Sequence, residues 1–140
     1  RTHAADGLVF GGPVPKASIR DTYADFDALL LILGKGKYVT SGKVFEYAAS
    51  ALPIVAVHDP GNAATDVLRE YPLWFPINDL SPEAIAAALH GAAAAARQAT
   101  EDTRQACADF ARRFERARQL EPRLSELRSL SSPQVTEGRS

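Results

Sequence analysis

Short apolar runs alternate with segments of mixed polarity over the first part of the chain. The runs at 28–33 and 53–57 carry no polar side chain and have the length of strands that are buried on both faces of a sheet. A third run, 73–77, includes Pro76, which lacks a backbone donor and therefore predicts an edge strand. A fourth run, 8–11, leads into a Gly-Gly-Pro turn and is also predicted to be a strand.

Helical periodicity fills the intervals between these runs. Ile19, Tyr23 and Phe26 recur at helical spacing after the run at 8–11, and 64–71 carries a similar apolar face before the run at 73–77. Alternating strands and helices predict an α/β fold, with a Rossmann-like parallel sheet that helices cover on both sides. We therefore expect the strands at 28–33 and 53–57 to pair in parallel through right-handed crossovers.

The character of the sequence changes after Ser81-Pro82-Glu83, which is a typical helix start. Ala, Arg, Glu and Leu dominate from there to about residue 130, without a strand pattern. The arginines alternate with acidic residues, which favours a solvated helix face. Three parts follow: an α/β domain at 1–80, C-terminal helices at 81–130 that pack on it, and a disordered tail at 131–140.

Composition narrows the class of protein. A length of 140 residues, 46% hydrophobic and 24% charged, suits one globular domain, and the net charge of -1 gives no case for nucleic acid. No apolar run reaches the roughly 20 residues of a membrane span, although peripheral membrane association stays open. A single cysteine, Cys107, excludes an internal disulfide framework and favours the cytoplasm. Because the chain begins with Arg1 and contains no Met, we expect it to be a piece of a longer protein.

The segment 39–55 holds the most informative chemistry. It follows a predicted buried strand and enters a helix, the place where open α/β sheets bind ligands. The backbone amides of Ser41 and Gly42 would lie in the first helical turn, where the helix dipole favours an anion. Lys43 adds a positive charge within reach of the same anion. These three residues are therefore a candidate diphosphate site.

Glu46 lies three residues beyond Lys43 and so shares its side of the predicted helix. A carboxylate repels phosphate but accepts hydrogen bonds, so beside a diphosphate it suits a ribose with two adjacent hydroxyls. The alternative is that Glu46 only pairs with Lys43 on a solvated face.

Two common nucleotide-binding motifs are excluded in this segment. A Walker-type phosphate loop needs a glycine where Lys37 stands and a hydroxyl residue where Val44 stands. No G-x-G-x-x-G fingerprint of a dinucleotide site follows a strand either.

Residues 41–55, Ser-Gly-Lys-Val-Phe-Glu-Tyr-Ala-Ala-Ser-Ala-Leu-Pro-Ile-Val, resemble the signature of retaining GT-B glycosyltransferases. Residues 9–15, Val-Phe-Gly-Gly-Pro-Val-Pro, with Tyr23 downstream, are similar to the preceding strand, loop and helix of that family. The resemblance runs from about residue 7 to residue 80. It implies a C-terminal donor domain that binds a nucleoside diphosphate sugar, and a hexosyltransferase-like activity. The acceptor would be held by a separate N-terminal domain.

The resemblance also implies roles for individual residues. Ser41, Gly42 and Lys43 match the loop that holds the donor diphosphate, and Glu46 matches the glutamate that binds the ribose. The loop against the nucleobase corresponds to Gly12, Val14 and Pro15. No catalytic residue is assigned with certainty within this chain. The nucleotide sugar is the substrate, and neither a metal nor a cofactor is expected.

The family's sheet has the strand order 3-2-1-4-5-6. The run at 8–11 matches its third strand, and the first two strands have no counterpart here. We therefore expect 8–11 either to stand apart from the sheet or to pair directly with 28–33.

Two departures from the family pattern bear on function. Many members have a glutamate eight positions before the ribose glutamate, where this chain has Tyr38. The glycine that usually precedes Leu-Pro is Ala51, which is tolerated only if this position avoids positive φ. Tyr38 supports an alternative in which the chain is a non-catalytic, glycosyltransferase-like module whose helices pack on a partner. The retained Ser41, Gly42, Lys43 and Glu46 argue against that alternative.

Overall fold

The computed structural model describes residues 7, 9–34, 41–77 and 79–115. A 3₁₀ turn at Lys16–Ser18 leads directly into the first α-helix. The elements that follow in chain order are α1 (Ile19–Ala24), β1 (Leu29–Ile32), α2 (Gly42–Ala48), β2 (Ile54–Val57), α3 (Ala63–Leu68), β3 (Trp74–Ile77), α4 (Pro82–Gln98) and α5 (Glu101–Arg112).

The three strands form one parallel sheet in the order β1-β2-β3. In the register, Leu29 lies opposite Ile54, and Ile54 lies opposite Trp74. The predicted parallel pairing of 28–33 with 53–57 is therefore confirmed. The edge position predicted for 73–77 is also confirmed, because β3 is the last strand in this order. Pro76 fits there, since its missing backbone donor leaves no neighbouring strand without a hydrogen bond.

The central strand β2 is buried on both faces. Successive side chains of a strand point to opposite sides. Ile54 and Ala56 accordingly join the core beneath α2, α3 and α5, and Val55 packs with Ala92 of α4 on the other side. Gly91 lets α4 lie close to β3, since a Cβ there would stand 3.3 Å from the Phe75 ring. The chain is therefore a mixed α/β fold with helices on both faces of a small parallel sheet.

Short polar side chains begin the helices that cover the sheet. Ser41, Asn62, Ser81 and Thr100 each accept a hydrogen bond from an amide two or three residues later. Thr100 divides the predicted helical region into α4 and α5, and this turn lets α5 pack against α2. Residues 116–130 and the predicted tail at 131–140 lie outside the described residues.

The predicted strand at 8–11 is wrong for the residues that the structure describes. Val9, Phe10 and Gly11 are not in a strand, and Val9 and Phe10 are 87% and 78% exposed. Of the two expected arrangements, the segment stands apart. An extended segment without a neighbouring strand gains no ladder hydrogen bonds, so apolar pattern alone does not make it a strand. Leu8 lies outside the described residues.

The face of β1 on the α4 side is only partly covered. Leu30 and Ile32 are 48% and 68% exposed, because α4 contacts β2 and β3. Within the described ranges, β1 also pairs with one strand only, and it carries neither the proline nor the charges that usually protect an edge.

We expect the 140-residue chain to self-associate through β1 when it is produced alone. The double variant Leu30→Lys/Ile32→Lys should shift it to monomer, because lysines at an edge strand oppose pairing with another strand. Sedimentation velocity over a concentration series measures this. A wild-type chain that stays monomeric throughout contradicts the expectation.

Ala51 adopts φ +58° just beyond the end of α2. The expectation that alanine is tolerated here only without positive φ is therefore wrong. The Cβ of a non-glycine residue in this region meets the following carbonyl oxygen, at roughly 1–2 kcal/mol. Ala51 lies in the short turn between α2 and the buried Pro53 and Ile54.

Replacing Ala51 by glycine should raise the free energy of unfolding by about 0.5–1 kcal/mol, since relief of strain outweighs the greater freedom of the unfolded chain. Ala49→Gly is the matched control. Ala49 has an ordinary helical conformation (φ -71°), so glycine there should lower the free energy of unfolding by about 0.4–1 kcal/mol. Urea denaturation measures both, and effects of the same sign contradict the strain at Ala51.

Candidate functional site

Glu46 lies on the outer side of α2, because Val44 and Ala48 of the same helix face the core. Its Oε1 accepts a hydrogen bond of 2.5 Å from the Tyr23 hydroxyl of α1. Among the described residues, Glu46 forms no ion pair with Lys43 or any other cation. The alternative of a Lys43–Glu46 pair on a solvated face is therefore not what the structure has.

Tyr23 is fixed by its packing against α2. Its ring meets that of Tyr47 edge-on, with centroids 5.6 Å apart and an interplanar angle of 87°. Partial burial raises the pKa of Tyr23, and the hydrogen bond to Glu46 and the charge of this carboxylate raise it further. The phenol therefore stays protonated at neutral pH, where it donates to Glu46 and orients the carboxylate.

An open cavity of about 820 Å³ lies beside this pair, between the Lys16–Ala24 segment, the end of α2 and the start of α5. Its volume is in the range of cavities that hold small-molecule ligands. Ile19 and Leu52 supply apolar wall, and Tyr23 and Glu46 contribute polar groups. The predicted ribose residue thus lines a cavity of ligand size.

Three positively charged residues line the same cavity: Lys16, Arg20 and Arg104. None of them forms an ion pair with an acid in the part of the chain that the structure describes. The alternation of arginines with acidic residues after residue 81 predicts that these arginines lie on a solvated helix face. That interpretation fits Arg113, which pairs with Glu70 at 2.6 Å. Arg104 is also exposed, but the tertiary fold brings it to the cavity and leaves it without an acidic partner among the described residues.

The predicted diphosphate residues lie at the first turn of α2. The Ser41 hydroxyl accepts from the amide of Lys43 at 3.3 Å, so it serves as the helix cap. A Cβ on Gly42 would meet no atom within 4 Å, which leaves this turn open to a ligand. The Lys43 side chain is exposed and has no acidic partner among the described residues. None of the three lines the cavity, and Tyr38 lies outside the described residues.

The predicted nucleobase loop is exposed and reaches the cavity only through its neighbour in the chain. Gly12 has φ +77°, which suits glycine, and Val14 is 44% exposed. The carbonyl of Pro15 accepts from Ser18 at 2.9 Å and begins the turn that carries Lys16. The structure therefore brings Glu46 to the cavity, with Lys43 one helical turn away and Pro15 next to a lining residue.

His58 follows the end of β2 and has a polar partner on one ring nitrogen. Its Nδ1 lies 3.0 Å from the Asp59 carbonyl, so this nitrogen carries the proton, and its ring is parallel to that of Trp74 at 6.5 Å. The Nε2 of His58 and the Nε1 of Trp74 are buried without a described partner. His58 does not line the cavity beside Glu46.

The described residues show neither a metal cluster nor a membrane-spanning helix. They contain no group of three or more His, Cys, Asp or Glu residues placed to hold a metal ion. No helix in these ranges is long and apolar enough to cross a membrane. Comparison with known protein families, curated proteins and solved structures gives no match to this chain.

The Tyr23–Glu46 contact predicts how stability depends on alkaline pH. Below the ordinary tyrosine pKa of about 10 the phenol is neutral in the folded and unfolded states. Because the folded pKa is raised, the unfolded chain ionises first, and stability falls as the pH passes this value. Tyr23→Phe should lower the free energy of unfolding by about 0.5–1.5 kcal/mol near pH 7 and reduce its alkaline loss.

Urea denaturation of the wild type and Tyr23→Phe at several pH values measures both effects. Tyr71, whose pKa burial also raises, should account for much of the alkaline loss that remains. An alkaline slope that Tyr23→Phe leaves unchanged shows that Tyr23 is not held protonated by the fold.

Proposed function

We propose that this chain is the donor-binding part of a GT-B glycosyltransferase and that Glu46 holds the ribose of a nucleoside diphosphate sugar. The observation that carries the proposal is the state of the Glu46 carboxylate. One oxygen is oriented by Tyr23, and the other has no partner among the described residues, at the wall of a ligand-sized cavity.

The chemistry of a carboxylate favours a ribose as its ligand. A carboxylate only accepts hydrogen bonds, and two adjacent hydroxyls can both donate to it. It repels phosphate, so the diphosphate has to lie to one side. Lys43 stands three residues earlier in α2, roughly 4.5 Å along the helix axis. This spacing suits a nucleotide in which the phosphates follow the ribose.

The fold gives this arrangement its setting. β1 and β2 are parallel, and α2 follows the carboxyl end of β1. Ligands of open α/β sheets bind at that edge, where α2 begins with Gly42 and Lys43, and the cavity extends from Glu46 toward the other end of α2. In the proposed reaction the bond between the sugar and the diphosphate breaks, and the diphosphate keeps the electron pair. Lys43 stabilises the negative charge that develops there. The sugar passes to an acceptor held by a separate domain, in the cytoplasm and without a metal.

A second candidate is a glycosyltransferase-like module that binds a protein partner and no nucleotide. The exposed Leu30 and Ile32 favour it, since they form apolar surface beside an unprotected strand edge. Titration with UDP, GDP and ADP separates the two candidates. Binding of at least one supports the donor site, and binding of none supports the module.

Lys43→Ala should weaken binding of the nucleoside diphosphate by about 1.5–3 kcal/mol, the range of a hydrogen bond to a charged group. The parent nucleoside should lose much less. Arg97→Ala is the matched control, because Arg97 is an exposed cation in the last turn of α4. Isothermal titration calorimetry gives the affinities. Equal losses for nucleoside and diphosphate show that Lys43 does not contact phosphate.

Glu46→Gln should weaken ribonucleotide binding by about 1–3 kcal/mol, because it replaces two charged hydrogen bonds by neutral ones. A 2′,3′-dideoxy nucleotide should bind the wild type weakly and lose little more in the variant. If the dideoxy nucleotide loses as much affinity as the ribonucleotide, Glu46 does not bind the ribose.

A further inference from the structure

The cavity beside Glu46 collects positive charge from three separate elements. Lys16 belongs to the 3₁₀ turn, Arg20 to α1, and Arg104 to α5. Lys16 and Arg20 are four residues apart in continuous helical turns, so they share one side of that segment. Arg104 comes from the far end of the sequence. Its presence there depends on the packing of α5 against α2.

These cations differ from most other arginines of the described chain. Arg69, Arg112 and Arg113 each pair with a carboxylate. The cavity offers Lys16, Arg20 and Arg104 one carboxylate, Glu46, which already accepts from Tyr23. The lining is therefore positive although the whole chain has a net charge of -1.

We propose that Lys16, Arg20 and Arg104 bind a phosphate group of the ligand that occupies this cavity. The planar guanidinium groups of the two arginines can each give two parallel hydrogen bonds to phosphate oxygens, and the lysine adds a mobile charge. This site is separate from Ser41, Gly42 and Lys43, which do not line the cavity. It extends the proposed function, because binding of the anion does not require Glu46.

The phosphate has two sources that share this chemistry. It can belong to the nucleotide whose ribose Glu46 holds, in which case the diphosphate lies here and not at Lys43, or to a second molecule such as a phosphorylated acceptor. Inorganic pyrophosphate is a suitable probe because it carries the charge and oxygen geometry of either source without a ribose or a base.

Calorimetric titration of the 140-residue chain with pyrophosphate tests the site. Arg20→Gln and Arg104→Gln should each weaken binding by about 3- to 10-fold, and the double variant by about 30-fold. Arg97→Gln, at the exposed end of α4, is the control and should bind as the wild type does. No binding by the wild type overturns the proposal, and so does an equal loss in the control. Circular dichroism confirms that each variant is folded.

Competition with a nucleoside diphosphate identifies the source. If it displaces pyrophosphate, and Arg104→Gln weakens both ligands, the phosphate is the nucleotide's own. If pyrophosphate still binds to the nucleotide-saturated chain, the phosphate belongs to a second molecule. If the chain binds pyrophosphate through these residues but binds no nucleotide, the phosphate site is supported and the proposed donor function is wrong. If Glu46→Gln weakens nucleotide binding while Arg20→Gln and Arg104→Gln leave pyrophosphate binding unchanged, the donor function stands and the phosphate site is wrong.

Discussion

Burial of β2 on both faces is the constraint on which the rest of the structure depends. Ile54, Val55 and Ala56 are almost wholly removed from water, so both sides of the strand need a covering layer. α4 supplies one, and α2, α3 and α5 supply the other. Because α2 turns Val44 and Ala48 inward, helical periodicity places Glu46 outward. The exposure of the candidate ribose residue is therefore a consequence of how the central strand is covered.

Aromatic contacts bring the outer elements to α2. The edge-on contact of Tyr23 with Tyr47 holds α1 against it and leaves the Tyr23 hydroxyl at Glu46. On another side of α2, the ring centroids of Phe45 and Phe114 are 5.1 Å apart. Phe114 lies just beyond α5, and its ring also contacts that of Phe110. Such pairs add specific geometry to apolar burial. They explain how residues far apart in sequence line one cavity.

The strands of the sheet could be predicted because their signal is local. The continuous apolar runs at 28–33 and 53–57 have few other ways to be buried, and Pro76 excludes a central position. The run at 8–11 has a similar composition, yet the described part of it is not a strand, since strand formation also requires a neighbour to pair with. Ala51 was a departure from a glycine pattern. The glycine of that pattern already pointed to positive φ at this position, and the alanine alone does not.

Only the part of the candidate site that depends on helical spacing could be predicted from the sequence. Spacing alone placed Glu46 beside Lys43 on one side of a helix, and the structure bears out that placement. Spacing could not supply Tyr23 as the partner of Glu46, because their contact depends on how two helices pack. It could not distinguish Arg104 from Arg113 either. Both stand among acidic residues in one helical stretch, and only the fold directs one to the cavity and the other to Glu70.

We propose that a nucleotide binds between the Lys16–Ala24 segment and α2. Amide NMR spectra of the isotope-labelled chain, recorded during titration with a nucleoside diphosphate, test it most directly. We predict that the shifted signals concentrate in residues 16–24 and 41–52, with smaller changes around Arg104. Shifts confined to α4, or none with any nucleoside diphosphate, contradict the claim.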